Sequence, residues 1–220
     1  MKRIVFWFDP ISPFAYLAFL RLPEVLQGQS YEVAYRPVLL AALLQRHGSK
    51  GPAEIEPKRA WTFRQVHWLA QQHGIAMDTP SVHPFNPLPL LRLAIACGPN
   101  RRVIELILRH VWQGGADAGD PARLAALQAE LQAELQAEAQ ADRVPARDPN
   151  AAEVKDELRA ATEEAIAQGV FGVPSFGLDG RVFWGLDALP MLTDALRGEA
   201  WFDGPAWTRE GAPRAGVQRR

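Results

Sequence analysis

Segments with strand character lie in two places, residues 3–38 and 173–184, and everything between them reads as helix. That spacing is the strongest constraint on the fold. A strand segment this short cannot form a sheet alone, so the two ends of the chain must share one. The helical stretch between them is then an excursion from a single α/β layer.

Arg3–Phe8 (Arg-Ile-Val-Phe-Trp-Phe) is rich in β-branched and aromatic side chains and reads as a buried strand. Asp9-Pro10-Ile11-Ser12-Pro13 stops it, and Ser12 before Pro13 is a helix N-cap followed by an N1 proline. Apolar residues at 14, 17, 18, 20, 22 and 25 continue with helical recurrence, and Pro23 should kink that helix or end it early. Tyr31–Val38 alternates as a second strand, so the first 38 residues predict a right-handed βαβ unit.

Leu39–Arg46, Pro57–His73, Leu88–Cys97 and Arg102–Trp112 each carry helical recurrence, with Gly48, Gly74 and Gly98 near the expected C-termini. Residues 122–141 hold a near-repeat of Gln-Ala-Glu-Leu from Gln128, which predicts an extended surface helix with Leu127, Leu131 and Leu135 on one drifting face. Arg143–Asn150 reads as a linker and Ala151–Gln168 as one more helix. Trp61 and Trp68, seven apart, share a helix face and are expected to pack on the core or line a cleft.

Val173–Leu178 then reads as a strand entered through Pro174, Asp179-Gly180 as a hairpin turn, Arg181–Trp184 as its antiparallel partner and Asp187–Leu196 as a closing helix. The order βαβ, helices, ββα is that of thioredoxin with a helical domain inserted at its middle. The expected class is therefore α/β, with a discontinuous thioredoxin-like domain (1–38 and 169–198), an inserted all-helical domain (39–168) and a loosely packed C-terminal tail (199–220).

With 24 basic and 25 acidic side chains the chain carries no overall field toward nucleic acid or anionic lipid. No apolar run approaches the length of a membrane span, and no small-x-small cleavage site follows Met1-Lys2-Arg3. Cys97 is the single cysteine, so an intramolecular disulfide, a CxxC pair and a cysteine-rich zinc site are all excluded. It reads as a small buried hydrophobe in a protein of the cytoplasm. His67 and His73 stand roughly 240° apart on a helix, and the other histidines are scattered, so no metal site is expected.

The Ser12–Ala15 segment sits where a thioredoxin-like fold places its reactive dithiol, at the positive end of a helix. Ser12 and Ala15 occupy the two cysteine positions, so dithiol redox chemistry is gone while the anion-stabilising geometry stays. Such a site suits an external thiolate. In that architecture Val173-Pro174 faces the same helix end, and a cis bond there would offer the Val173 backbone to a peptide-like ligand.

The chain resembles the 2-hydroxychromene-2-carboxylate isomerases, relatives of the kappa-class glutathione transferases. The resemblance rests on Phe6–Tyr16, Gly51-Pro52, Pro84-Phe-Asn86, Val170–Pro174 and Phe183-Trp-Gly-Leu-Asp187, in that order, over most of residues 3–197. It implies glutathione as cofactor and Ser12 as the serine beside its sulfur. It further implies that Val173 and Pro174 pair with the tripeptide backbone and that Trp184, Gly185, Leu186 and Asp187 line the rest of the site, Asp187 toward the ammonium group. Lys50 and Asn86 would contact a small aromatic acid substrate. Two departures stand out: Ala188 where a basic residue is expected, and the long Gln128–Ala139 region.

Three functions remain open at this stage. One is glutathione-dependent cis–trans isomerisation in aromatic-ring catabolism of the naphthalene-degradation type, by a homodimer in the cytoplasm. The second is a kappa-like glutathione transferase or peroxidase. The third is a non-catalytic peptide-binding module.

Overall fold

A computed structural model describes residues 1–138 and 147–208. Its sheet has four strands in the order β2-β1-β3-β4, where β1 is Lys2–Phe8, β2 Tyr31–Pro37, β3 Ser175–Leu178 and β4 Arg181–Trp184. β1 pairs parallel with β2 from Lys2↔Tyr31 to Phe8↔Pro37, and antiparallel with β3 through Phe6↔Phe176. The two ends of the chain thus meet along β1, as the strand spacing requires.

The first helix, α1 (Pro13–Val25), crosses between β1 and β2 and carries Pro23 inside it. The helix ends two residues beyond that proline, because the missing N–H falls in the last turn where little ladder is left to break. Helices α2 (Leu40–Arg46), α3 (Glu56–Gln72), α4 (Leu88–Ala96), α5 (Arg101–Trp112), α6 (Pro121–Glu138) and α7 (Ala152–Ala167) follow. Their order and type match the sequence reading, with ends moved by a residue or so.

Alternation along β1 divides the core. Ile4, Phe6 and Phe8 join α1, α4, α5 and α8 (Leu189–Arg197) in the larger cluster, whereas Trp7 packs with Val38, Leu43, Ala165, Val170 and Val173 on the α7 side. Leu127 and Leu131 of α6 are fully part of the larger cluster, so one face of the Gln/Ala/Glu-rich helix is core and only its other faces meet solvent.

Two expectations are corrected. Trp61 and Trp68 share a face, but it is the solvent face, and they are 63% and 58% exposed. α3 turns Val66 and Ala70 inward instead. The described part of the C-terminal segment is packed rather than loose. A 3-10 turn, Ala200–Asp203, buries Phe202 against Phe183 and Trp207, and Pro205–Thr208 forms α9. Residues 139–146 and 209–220, including much of the expected linker, lie outside the described residues. Among the described residues no helix is long and apolar enough to cross a membrane.

Candidate functional site

Ser12 caps α1 in extended conformation, with its Oγ accepting from Ala15 N at 3.3 Å and Pro13 at N1. The same hydroxyl donates to the Val173 carbonyl at 3.4 Å, a contact long enough to be weak. The Val173–Pro174 bond is cis, the form considered for this turn in a thioredoxin-like architecture. Helix α1 has no acidic side chain in its first turn, so nothing there offsets the partial positive charge of its N-terminal end.

The loop leading into Ser12 is clamped at successive residues. Ser12 N donates to Asp9 O at 3.0 Å, and Ile11 N donates to the Asp9 carboxylate at 3.0 Å. Trp112 Nε1 donates to Pro10 O at 2.9 Å, and His83 Nε2 donates to Ile11 O at 2.9 Å. Trp112 and His83 both come from the helical block between β2 and β3, so that block holds the Pro10–Ser12 turn. Tyr16, stacked near Trp112, is itself tied by Gln113 at 3.0 Å and to Ala76 O at 2.7 Å.

Asp9 and His83 are both shifted by their surroundings. Asp9 is wholly buried, and burial pushes its carboxyl from 3.8 up to about 7 against the pull of N–H donors from Ile11 and Leu40. Burial also lowers the imidazole of His83, partly offset by its bond to Ile11 O. Asp9 lies within the Phe6–Tyr16 motif and His83 outside every motif, and each makes a contact distant in sequence, 31 residues for Asp9 with Leu40 and 72 for His83 with Ile11.

On the opposite side of the cis proline, Gly185 N donates to Pro174 O at 2.9 Å, which brings Trp184–Asp187 beside Val173. Gly185 has φ 99°, a left-handed conformation that suits glycine, and a Cβ there would collide with the Asp187 carboxylate. Asp187 is exposed and Leu186 half-buried. Phe171 packs on Trp184 with centroids 4.8 Å apart, and His47 meets Phe171 edge-on. This exposed aromatic face next to Val173 includes Phe171 and His47, which sequence reasoning missed. The Val170–Pro174 motif contains Phe171, but only the tertiary contact shows that it stacks.

Lys50 is exposed, in the segment after α2, and has no ion pair among the described residues. Asn86 is exposed and its Oδ1 accepts from Leu88 N at 3.1 Å, the arrangement of a loop-stabilising amide. Ala188 is buried in the larger core cluster, so the departure at this position turns a methyl inward. Cys97 is buried, and burial pushes its thiol up to about 11.

Residues 3–197 match the DsbA-like thioredoxin domain. A 2-hydroxychromene-2-carboxylate isomerase of Pseudomonas putida is 30% identical over 202 residues, covering 87% of this chain and 92% of its own. The chain belongs to this isomerase family, within the DsbA-like thioredoxin fold. A solved 2-hydroxychromene-2-carboxylate isomerase superposes on this DsbA-like chain with TM-score 0.76 at 22% identity, over 91% of this chain and 97% of the other. A glutathione S-transferase kappa 2 of Caenorhabditis elegans is 27% identical over 97% of this chain and 98% of its own. The family's members of both names are enzymes.

Proposed function

We propose that this protein is a glutathione-dependent cis–trans isomerase that interconverts 2-hydroxychromene-2-carboxylate, or a related aromatic acid, and its open-chain trans-o-hydroxybenzylidenepyruvate. The observation that carries the reading is the Ser12 hydroxyl, set at the α1 N-terminus and facing the Val173 carbonyl before the cis proline. A serine there preserves the anion-stabilising position of a thioredoxin-like fold without the dithiol.

The residues fit glutathione by chemistry. The Val173-Pro174 backbone, beside the α1 N-terminus, suits a peptide-like ligand, and the exposed Asp187 carboxylate suits its ammonium group. When bound, glutathione supplies a thiolate that adds reversibly to the conjugated alkene and leaves it free to rotate. Ser12 gives up its weak bond to Val173 O and donates to the sulfur, while the α1 terminus lowers the thiol pKa. Pro10, Ile11 and Ser12 stay in place through Trp112, His83 and Asp9, so little reorganisation accompanies the charge. The Phe171–Trp184 face offers a surface for an aromatic ring, with Lys50 assigned to the substrate carboxylate and Asn86 to one of its oxygens.

The test is calorimetric titration of reduced glutathione into the protein and its Ser12→Ala variant, followed by an isomerisation assay with glutathione quantified before and after. Saturable binding, turnover and unchanged glutathione support the isomerase. Turnover with glutathione consumed favours the transferase, a reading supported by the kappa relative spanning 97% of this chain. Absence of binding at millimolar glutathione overturns both and leaves the peptide-binding module. A homodimer in the cytoplasm belongs to the same reading, and sedimentation of the purified protein checks its oligomeric part.

A further inference from the structure

A cleft of about 750 Å³ opens between α2, α4 and α7. That volume is within the range of roughly 300–1,000 Å³ typical of small-ligand sites. None of the residues assigned above to glutathione or the aromatic substrate lines it. Its apolar wall is Leu39, Leu88, Leu158 and Ile166, contributed by all three sides.

The charged residues of the cleft are strongly unbalanced. Arg46, Arg92, Lys155 and Arg159 line it, against Glu163 as the one acid. Arg159 is paired with Asp156 at 2.6 Å on the exposed face of α7. Arg46, Arg92 and Lys155 enter no ion pair among the described residues. Arg92 differs from an ordinary surface arginine in a further way, because its Nε is buried without a hydrogen-bond partner. Buried donors are seldom left unpaired, since the lost hydration is not recovered. An anionic acceptor entering the cleft would satisfy that donor and the three uncompensated cations together.

We propose that this cleft is a second binding site, for an amphipathic organic anion. A carboxylate, sulfonate or phosphate head sits on Arg92, Arg46 and Lys155, and a hydrophobic body lies against Leu39, Leu88, Leu158 and Ile166. The site is independent of the glutathione reading. It does adjoin the reactive turn through the backbone: Leu39 N donates to Thr162 Oγ1 at 3.1 Å, and the next residue, Leu40, donates to Asp9 at 2.9 Å.

The experiment is fluorescence titration of the full chain with 8-anilinonaphthalene-1-sulfonate, an aromatic sulfonate with the required head and body. The expected result is saturable binding of one probe per chain at this site. Arg92→Met and Lys155→Glu should each weaken it by about tenfold or more, as loss of a charge-assisted contact implies. Ser12→Ala and saturating reduced glutathione should leave it unchanged. Lys155 is exposed, so its variant stays folded even if Arg92→Met does not, and circular dichroism verifies both. The proposal is overturned by lack of saturable binding, by undiminished binding to the Lys155→Glu variant, or by displacement with glutathione. It is equally overturned if Lys155→Glu turns a dimer into a monomer while the parent protein binds no probe, which would make a second copy the occupant.

Discussion

The indole N–H of Trp112 reaches the carbonyl of Pro10 at 2.9 Å, 102 residues earlier in the chain. Both ends of the bond are buried, so the carbonyl has no water to fall back on. The bond joins the last turn of α5 to the loop that presents Ser12. It therefore links the stability of the helical block to the geometry of the Pro10–Ser12 turn.

Replacing Trp112 by Phe keeps an aromatic ring in the core and removes the donor. Urea unfolding should show a loss of about 1–3 kcal/mol from the orphaned carbonyl, together with the smaller volume of the ring. The isomerisation rate should fall by more than that of a variant destabilised equally elsewhere. Equal losses would mean that the clamp does not position Ser12.

Asp9 should make the protein less stable as pH rises. Its carboxyl titrates at about 7 in the fold and near 3.8 when unfolded. The folded state therefore holds more protons between those values, and stability falls across that window. Below 3.8 the penalty is absent, and above about 7 it is complete. Asp9→Asn should abolish this slope, measured as midpoint denaturant concentration from pH 4 to 8 (roughly the window set by linkage), while losing one acceptor for Ile11 or Leu40. An unchanged slope would assign the pH dependence to other groups. His83 acts in the opposite sense: its pKa is lowered by burial, so its contribution is lost as pH falls below the ordinary 6.5.

Ser12→Ala should raise the pKa of bound glutathione thiol by about one to two units, the value of one hydrogen bond to a charged acceptor. Ultraviolet absorbance of the thiolate during a pH titration reads this directly. The same variant loses an N-cap, at about 0.5–2 kcal/mol, which a denaturation curve reports separately. A thiol pKa equal to that of the parent protein would remove Ser12 from the chemistry.

Gly172→Ala tests the aromatic face. A Cβ there would come within 2.6 Å of Trp184 Nε1, so the indole must leave its place against Phe171. Binding of glutathione, to whose site the resemblance assigns Trp184, should weaken by roughly tenfold, the scale of one aromatic contact, and binding of an aromatic acid against the same face should weaken with it. A change confined to glutathione would place Trp184 wholly in the cofactor site.

Cys97 should resist thiol reagents in the native protein and react freely once unfolded, because it is buried and its thiol is pushed up to about 11. Rapid native modification would mean that the α4 terminus opens locally.

The strands, the helix order and the Ser12–Pro13 junction were legible because each depends on local physics. Alternation, N-caps and the Asp179-Gly180 turn act within a few residues of themselves. The single cysteine likewise excluded a dithiol without reference to any contact. Which face of α3 meets solvent was not legible, since Trp61 and Trp68 obey helical spacing on either side. Nor was the packing of Phe202, whose partners are Phe183 and Trp207. The assignments of Lys50, Asn86 and Asp187 came from the family resemblance, not from any local pattern.

From its sequence alone this protein is bound to a sheet closed by both chain ends, with a serine where a reactive cysteine would stand. Only the tertiary structure decides what holds that serine: His83 and Trp112, 72 and 102 residues along the chain from their partners, reach Ile11 and Pro10 beside the local turn that Asp9 makes. Hydrogen-bond partners for a buried loop must come from whatever packs over it, and no local pattern encodes which side chains those are.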